Sequence, residues 1–247
     1  MYLAAHSPAT TAASIHLLPG DPPVEVLVRR NARAKRFSLR VSRSDGRVSL
    51  SLPMWAPEAE ALAFLREREA WVRQHLDQAP GVQQARIGAE LPICGVLRPV
   101  VAGTGRAARF FDGALHVPPG PREGPRLKAL LGAMARDRLT AAVAHHAQAI
   151  GKGHGRITLR DPRSRWGSCS AKGDLMFSWR LIMAPPEVLD YVAAHEVAHL
   201  VEMNHSARFW ALCKHLSPKT DDYRRWMRAH GADLLAWRFD AKDQPQC

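Results

Sequence analysis

The chain has 247 residues, 46% of them hydrophobic and 23% charged, with a formal net charge of +12 at pH 7. That length suits one large domain or two small ones, and the hydrophobic share is enough to bury a real core, which argues against a disordered or fibrous chain. The charge balance favours polyanions, nucleic acid and nucleotides among them; an arginine-rich surface kept for solubility has the same composition. No apolar run approaches the roughly 18–20 residues that span a bilayer, so no membrane role is expected. Cys94, Cys169, Cys213 and Cys247 are scattered without a C-x-x-C pair. That argues against a disulfide framework and fits a reducing cytoplasm.

Residues 1–21 are rich in Ala, Ser, Thr and Pro and carry no Lys or Arg. They read as a disordered leader, because a secretory signal needs a basic start and a continuous apolar stretch. Alternation predicts short strands over 24–28, 37–41 and 47–52, with Ser44, Asp45 and Gly46 as a hairpin turn. Between the first two strands lies a basic run, Arg29, Arg30, Arg33, Lys35 and Arg36. It can line a phosphate-binding face, or it can be the charged edge that blunts a sheet. Pro57 opens a helix with Glu58 and Glu60 in its first turn. Its buried stripe is Leu62, Leu65, Val72 and Leu76, with Phe64 and Trp71 beside it as core aromatics, and Pro80-Gly81 ends it.

Residues 91–101 and 109–117 read as strands around glycine-rich turns. The cluster Pro118-Pro119-Gly120-Pro121 then reads as a joint between a β-rich part over 22–121 and a second part over 122–238, with a tail over 239–247. A long helix is predicted over 126–150. His145 and His146 on it read as surface or core histidines, because adjacent helical residues diverge by about 100° and cannot chelate together. Strands over 157–160 and 175–179 flank the segment from Arg163 to Ser170. Pro185 and Pro186 open the next helix. Ser206 caps a following one that carries Phe209 and Trp210, and a last helix runs over about 221–237.

The helix after Pro186 carries the chemistry. Its residues His195, Glu196, Val197, Ala198 and His199 spell H-E-x-x-H, and His205 follows six residues after the second histidine. Residues four apart share a helix face, so His195 and His199 can reach one ion. Glu196 lies roughly 100° round the helix, placed for a water beside the ion rather than for the ion itself. This is the zincin arrangement, in which two imidazoles hold Zn²⁺ and the glutamate is general base. A catalytic zinc takes three protein ligands and leaves one position open, and His205 supplies the third. The histidine spacing matches the metzincin pattern, but Glu202 stands where that pattern has a glycine. The helix is expected to run two residues longer and to turn at Asn204, a residue that tolerates the left-handed conformation. At this histidine content the three-histidine pattern arises by accident in roughly 0.1% of such chains. It also lies among Val188, Leu189, Val192, Val197, Leu200 and Val201, where unpaired polar groups are costly.

With these residues assembled, the chain resembles the YgjP-like metallopeptidase family, relatives of the SprT-like zincins. The resemblance rests on Arg165-Trp166-Gly167-Ser168-Cys169, on Leu181-Ile182 and Pro186, and on Asp190-Tyr191-Val192. It continues through the H-E-x-x-H run and Leu200 to Asn204-His205 and Phe209-Trp210. It reaches back to Arg29-Arg30, the Asp45-Gly46 turn, Pro53, and Phe64 to Trp71, and so covers roughly residues 24–235. It implies an α+β fold, a zincin-like helical core with a short sheet preceded by a β-rich N-terminal part. It also implies metal binding by His195, His199 and His205, with Glu196 as the base. The family is named for peptidases by motif, while some members are described as nucleoside-triphosphate pyrophosphatases acting on UTP.

Three readings follow: a zinc-dependent peptidase acting on a peptide substrate, a nucleotide hydrolase using the same metal, and a basic nucleic-acid-binding module with a structural metal. Glu196 argues against the third, since a structural site takes a fourth ligand rather than a nearby base. No P-loop is present, so a nucleotide's phosphates would be held by Arg, Lys and the metal. Candidates for stabilising a developing oxyanion are Arg163, Arg165, Tyr191, His215 and Tyr223. Arg165 suits a phosphate, which a guanidinium binds through two hydrogen bonds; Arg163 and Arg165 read equally well as a structural pair around a tight loop. Cys169 has no Cys–His–Asn surroundings and reads as buried and inert.

Overall fold

The structure is a computed structural model that describes residues 13–42, 45–77 and 81–240. Residues 1–12 of the expected leader, Ser44 of the expected turn, Pro80 and the tail from 241 lie outside those residues. The chain separates into two compact units at Gly81 and Val82.

Alternating valines and leucines build the first unit. Its strands are β1 (Ala13–Leu18), β2 (Val24–Arg30), β3 (Ser38–Val41) and β4 (Val48–Leu52), in the sheet order β1-β2-β4-β3. Strands β1 and β2 pair antiparallel, β2 and β4 parallel, and β3 and β4 antiparallel. One face buries Val24, Val26 and Val28 of β2 with Val48, Leu50 and Leu52 of β4. Residues 13–18, expected within the disordered leader, form β1 instead. They pair with β2 from Ala13↔Arg29 to Leu18↔Val24, which covers an edge of β2 and buries Leu18.

Two helices pack on that face, α1 (Glu58–Glu67) and α2 (Glu69–Asp77). The single helix expected here breaks at Arg68, whose backbone (φ −100°, ψ 10°) leaves helical geometry. Leu65 and Val72 are buried as the stripe predicts. Trp71, expected in the core, is 37% exposed and lies against His75. Its neighbour Val72 takes the inward position, and adjacent helical residues point about 100° apart.

The second unit opens with β5 (Gln83–Gln84), β6 (Glu90–Ile93), β7 (Val96–Ala102), β8 (Arg109–Phe111) and β9 (Ala114–Val117). Then come the long helix α3 (Glu123–Ala149), and β10 (Ile157–Arg160), β11 (Gly167–Cys169) and β12 (Leu175–Ser178). A 3-10 turn (Trp179–Met183) leads to α4 (Pro186–Ala198), α5 (Ala207–Leu216), α6 (Thr220–Ala236) and β13 (Trp237–Arg238). The fold is thus α+β, with its strands concentrated toward the N-terminus. The expected joint at 118–121 lies inside this unit. Strands β6 to β9 form a sheet too short to enclose a core, and Leu91, Ile93, Val100, Leu115 and Val117 pack with the helices behind them.

Helix α4 is the centre of that core. Val188, Leu189, Tyr191, Val192, Ala193, Ala194, Val197 and Ala198 are all buried, on every face of the helix. Pro186 opens it, where the missing N–H costs nothing. Gly95, in the turn between β6 and β7, has φ +77°, and a Cβ there would lie 3.0 Å from Pro185 Cγ. Glycine therefore permits both the turn and its close approach to the start of α4. The sheet β10-β12-β11 lies beside α4, with β11 at its edge. Among the described residues no helix is long and apolar enough to cross a membrane.

Arg180 pins the end of α6 to this frame. Its Nε and Nη2 donate to the two carboxylate oxygens of Asp161 at 2.6 and 3.1 Å. Its Nη1 donates to the carbonyls of Leu234 and Trp237 at 2.8 and 3.0 Å, while the guanidinium lies over the ring of Trp179. Arg180 is 6% exposed, so its charge depends on that carboxylate. Asp161→Ala is expected to lower stability by about 3 kcal/mol, read from the denaturant midpoint at unchanged slope.

Candidate metal centre

The end of α4 gathers three imidazoles. One ligand nitrogen from each of His195, His199 and His205 lies within 4.8 Å of the others. The turn that brings His205 back differs from the expected one. The helix does not run on past His199 but ends there. The amides of Leu200 and Val201 donate to the carbonyls of Val197 and Ala198, tightening the last turn. Asn204 is not among the residues with positive φ. The chain turns by these short hydrogen bonds, so no left-handed residue is needed.

The donor set fits a metal ion. His205 Nε2 and His195 Nε2 are 3.1 Å apart. Two zinc–imidazole bonds at a tetrahedral angle place their nitrogens about 3.3–3.4 Å apart. His199 Nδ1 donates to the Glu202 carbonyl at 3.0 Å. That bond fixes the tautomer and leaves the Nε2 lone pair for a cation. Burial, with the neighbouring His199 and His205 and then Arg224, pushes the His195 pKa down to about 3. Burial likewise lowers that of His199. Both rings are therefore neutral near pH 7, the form that binds metal. Among the described residues no fourth His, Cys, Asp or Glu joins the cluster, so a three-ligand ion would keep a position open.

Aromatic rings from α5 hold the imidazoles in place. Phe209 stacks on His199 at 4.4 Å between centroids and meets His195 edge-on at 4.9 Å. Trp210 stacks on His205 at 5.4 Å. Ser206 Oγ accepts from the Phe209 amide, capping α5 as its sequence predicts. Cys213, behind Phe209, is buried, and burial raises its thiol pKa to about 12.

Beside the triad opens a cleft of about 310 Å³ lined by residues from β11, α4 and α6 and from the segment before β11. Glu196 faces it and is 5% exposed. Burial pushes its pKa up to about 8 against the opposing charge of Arg165. Gly167 on β11 makes room for it, since a Cβ there would lie 2.6 Å from Glu196 Cγ. Tyr191 also lines the cleft, its ring 6.0 Å from that of His195. Burial raises its phenol to about 12, so it stays protonated.

The expected helper residues separate here. Arg165 and Tyr191 line the cleft, whereas Arg163 and His215 do not. Tyr223 does not line the cleft either; its ring lies 6.0 Å from that of Tyr191. Trp166 lines the cleft and also packs on the core. Cys169 is half-buried rather than buried, with its thiol raised by burial and by Glu196 and Asp174. His146 is buried and donates from Nε2 to Asp190 at 3.0 Å, joining α3 to α4 away from the triad. Arg224 and Arg228 line the cleft and escaped the sequence reading. Arg224 lies over Trp210 at 4.1 Å and pairs with Asp221. Their four-residue spacing on α6 was the available signal, since it puts both on one face.

A model of the family described as YgjP-like, metallopeptidase domain, matches residues 35–230, and the chain belongs to that family. Membership makes it a metallopeptidase-type hydrolase, and its histidine triad could hold the metal that such a family implies. The metallopeptidase zymogen abylysin of Pyrococcus abyssi is similar over 36% of this chain and 92% of its own, at 21% identity and a TM-score of 0.34. A likeness of that size carries no argument about fold or activity. No protein of curated function matches the chain.

Two outcomes are expected. One equivalent of zinc should raise the melting temperature of the metal-free protein, and His205→Ala should abolish most of that rise, as calorimetry would show. The second concerns pH. Glu196 holds a proton in the folded protein between its ordinary value of 4.5 and about 8, so stability falls as pH rises through that window. His195, moved from 6.5 to about 3, has the opposite sign and acts only below 6.5. Above pH 6.5 Glu196 acts without it, and Glu196→Gln in metal-free protein should remove a fall of about 1–2 kcal/mol by pH 8. An unchanged slope in pH-dependent denaturation would show that the carboxyl is not desolvated.

Proposed function

We propose that the chain is a zinc-dependent peptidase in which Glu196 is the general base. The observation that carries this is a buried carboxyl beside three converging imidazoles, in a cleft bordered by an edge strand. A zinc ion on His195, His199 and His205 would supply a Lewis acid that polarises a carbonyl and brings the pKa of water toward 7. Glu196 accepts the proton of the attacking water and passes it to the leaving nitrogen. Arg165 pulls the Glu196 pKa down, and a cation on the neighbouring imidazoles would pull it further toward the carboxylate form that begins the step. Gly167 keeps Glu196 seated, because any side chain there would displace it. The Tyr191 phenol lines the same cleft and is held protonated, so it would donate to the developing oxyanion.

The edge strand favours a peptide substrate. Among the described residues strand β11 pairs only with β12, and an edge strand can take an extended segment as a further strand. A second reading has its own support. Arg165, Arg224 and Arg228 line the same cleft, and guanidinium groups match phosphate oxygens. A nucleoside triphosphate such as UTP would then be attacked by the same water with the same base. A purely structural metal suits the site less, because Glu196 is buried beside the ligands at a cost in desolvation.

The deciding experiment incubates zinc-loaded protein with an unfolded protein substrate and, separately, with UTP. Peptide cleavage is expected, falling about 10²–10⁴-fold in Glu196→Gln with zinc content unchanged. Gly167→Ala should also keep zinc and lose most activity. Pyrophosphate release that Glu196→Gln abolishes, without peptide cleavage, would move the substrate to the nucleotide. Full turnover by zinc-bound Glu196→Gln would refute both mechanisms.

A further inference from the structure

We propose that the outer face of the N-terminal sheet binds the phosphodiester backbone of single-stranded nucleic acid. That face is concave, a cleft of about 610 Å³ lined by Arg29, Arg33, Lys35, Arg36 and Arg40. No Asp or Glu lines it. Among the described residues none of these five cations is paired with a carboxylate.

The register explains the shape. Arg29 on β2 and Ser38 on β3 both stand opposite Ser51 of β4, and Arg40 stands opposite Ser49. Arg29 and Arg40 therefore rise on either side of β4, about 12 Å apart across two strand spacings and two residues along the strand. Short serines floor the space between them. The segment from Asn31 to Phe37 forms the rim. It is pinned by the Asn31 amide on the Leu52 carbonyl and by Asn31 Oδ1 accepting from the Arg33 amide, both at 2.9 Å. Arg33, Lys35 and Arg36 are thus carried on an ordered turn.

Structural duties do not account for these charges. Arg30 has such a duty, since its Nη1 donates to the carbonyls of Met54 and Ala56 at 2.8 and 2.9 Å. Among the described residues Arg29 donates from Nε to Ser51 Oγ at 3.1 Å, and its two terminal nitrogens are not drawn into that bond. Blunting of a sheet edge would explain Arg40 on the edge strand β3. It does not explain Arg29, because β2 lies between β1 and β4 in the sheet interior. A face kept for solubility would intersperse both signs of charge. Here five like charges surround one hollow, and they repel one another until an anion enters.

The ligand follows from number and form. Two or three forked donors suffice for one phosphate, so five cations spread across three strands and a loop suit a run of phosphates. A basic hollow of about 610 Å³ between a sheet face and a rim has the form of the grooves with which single-strand binders track one backbone. No aromatic side chain lines it, so bases have no stacking platform. Binding is therefore indifferent to sequence and strongly dependent on salt, with a slope of about −0.7 in log K per log salt for each phosphate neutralised.

The test is fluorescence anisotropy of the metal-loaded full-length chain with a short labelled oligothymidylate, between 50 and 200 mM salt. Arg36→Glu with Arg40→Glu is expected to weaken binding at least about tenfold and to flatten the salt slope. Arg136→Glu with Lys152→Glu makes the same change in net charge on exposed positions outside the cleft, and should alter affinity by less than about twofold. Arg33→Gln with Lys35→Gln gives a milder second pair, and thermal melts identify any variant that has lost its fold. Equal weakening by the control pair would reduce the effect to bulk charge and overturn the proposal. So would absence of binding at 50 mM salt, or displacement of the strand by inorganic triphosphate at equal phosphate concentration, which would make the hollow a small-anion site.

Discussion

Helix α4 is apolar on nearly every face yet carries imidazoles at its end, and the second unit is arranged to satisfy both facts. Burying the helix takes α3, the 3-10 turn, the β10–β12 sheet and α6 around it. That burial strips water from His195, which lowers its affinity for a proton. Two neutral imidazole nitrogens 3.1 Å apart cannot both present lone pairs to each other without repulsion. A proton or a cation must lie between them. A neutral ring protonated at Nε2 can donate that proton to the other, and the three converging nitrogens could instead hold a metal ion. The helix, the turn after it and the rings of Phe209 and Trp210 all serve that convergence.

The same economy of space governs Glu196. A carboxyl that shares a helix with the converging imidazoles but not their face must find room on the adjoining strand. Gly167 supplies it by lacking a side chain. The cleft is thus built from α4 and the edge strand β11 together, and neither element makes it alone. Arg180 acts further out. By joining Asp161 to the carbonyls at the end of α6, it holds the helix whose Arg224 and Arg228 face the same cleft.

The net charge of +12 is not evenly spread. Part of it lies in three arginines around the cleft, where it bears on substrate charge. Another part lies on the N-terminal sheet, whose interior strand contributes a cation to a hollow without carboxylates. Arginine content alone could not separate these from a solvated surface. The strand order and register could, because they show which cations share a face and which guanidinium groups are already bound to carbonyls.

The sequence by itself determined the local elements and the three histidines that converge. Hydrophobic period placed β2, β4 and α3 because each buries one repeating set of side chains; Pro186 and the H-E-x-x-H run placed α4, where the four-residue spacing of His195 and His199 is a property of any helix. It did not determine where α4 ends. That depends on i→i+3 hydrogen bonds at residues 200 and 201, which compete closely with one more helical turn. Nor could it find β1, since strand pairing is decided by a partner elsewhere in the chain. The break at Arg68, the division of the chain at Gly81 and the assembly of Arg165, Gly167, Tyr191, Arg224 and Arg228 around Glu196 also came from tertiary structure. Each joins residues far apart in sequence, and such contacts are fixed by packing and register, which leave no periodic trace in the chain.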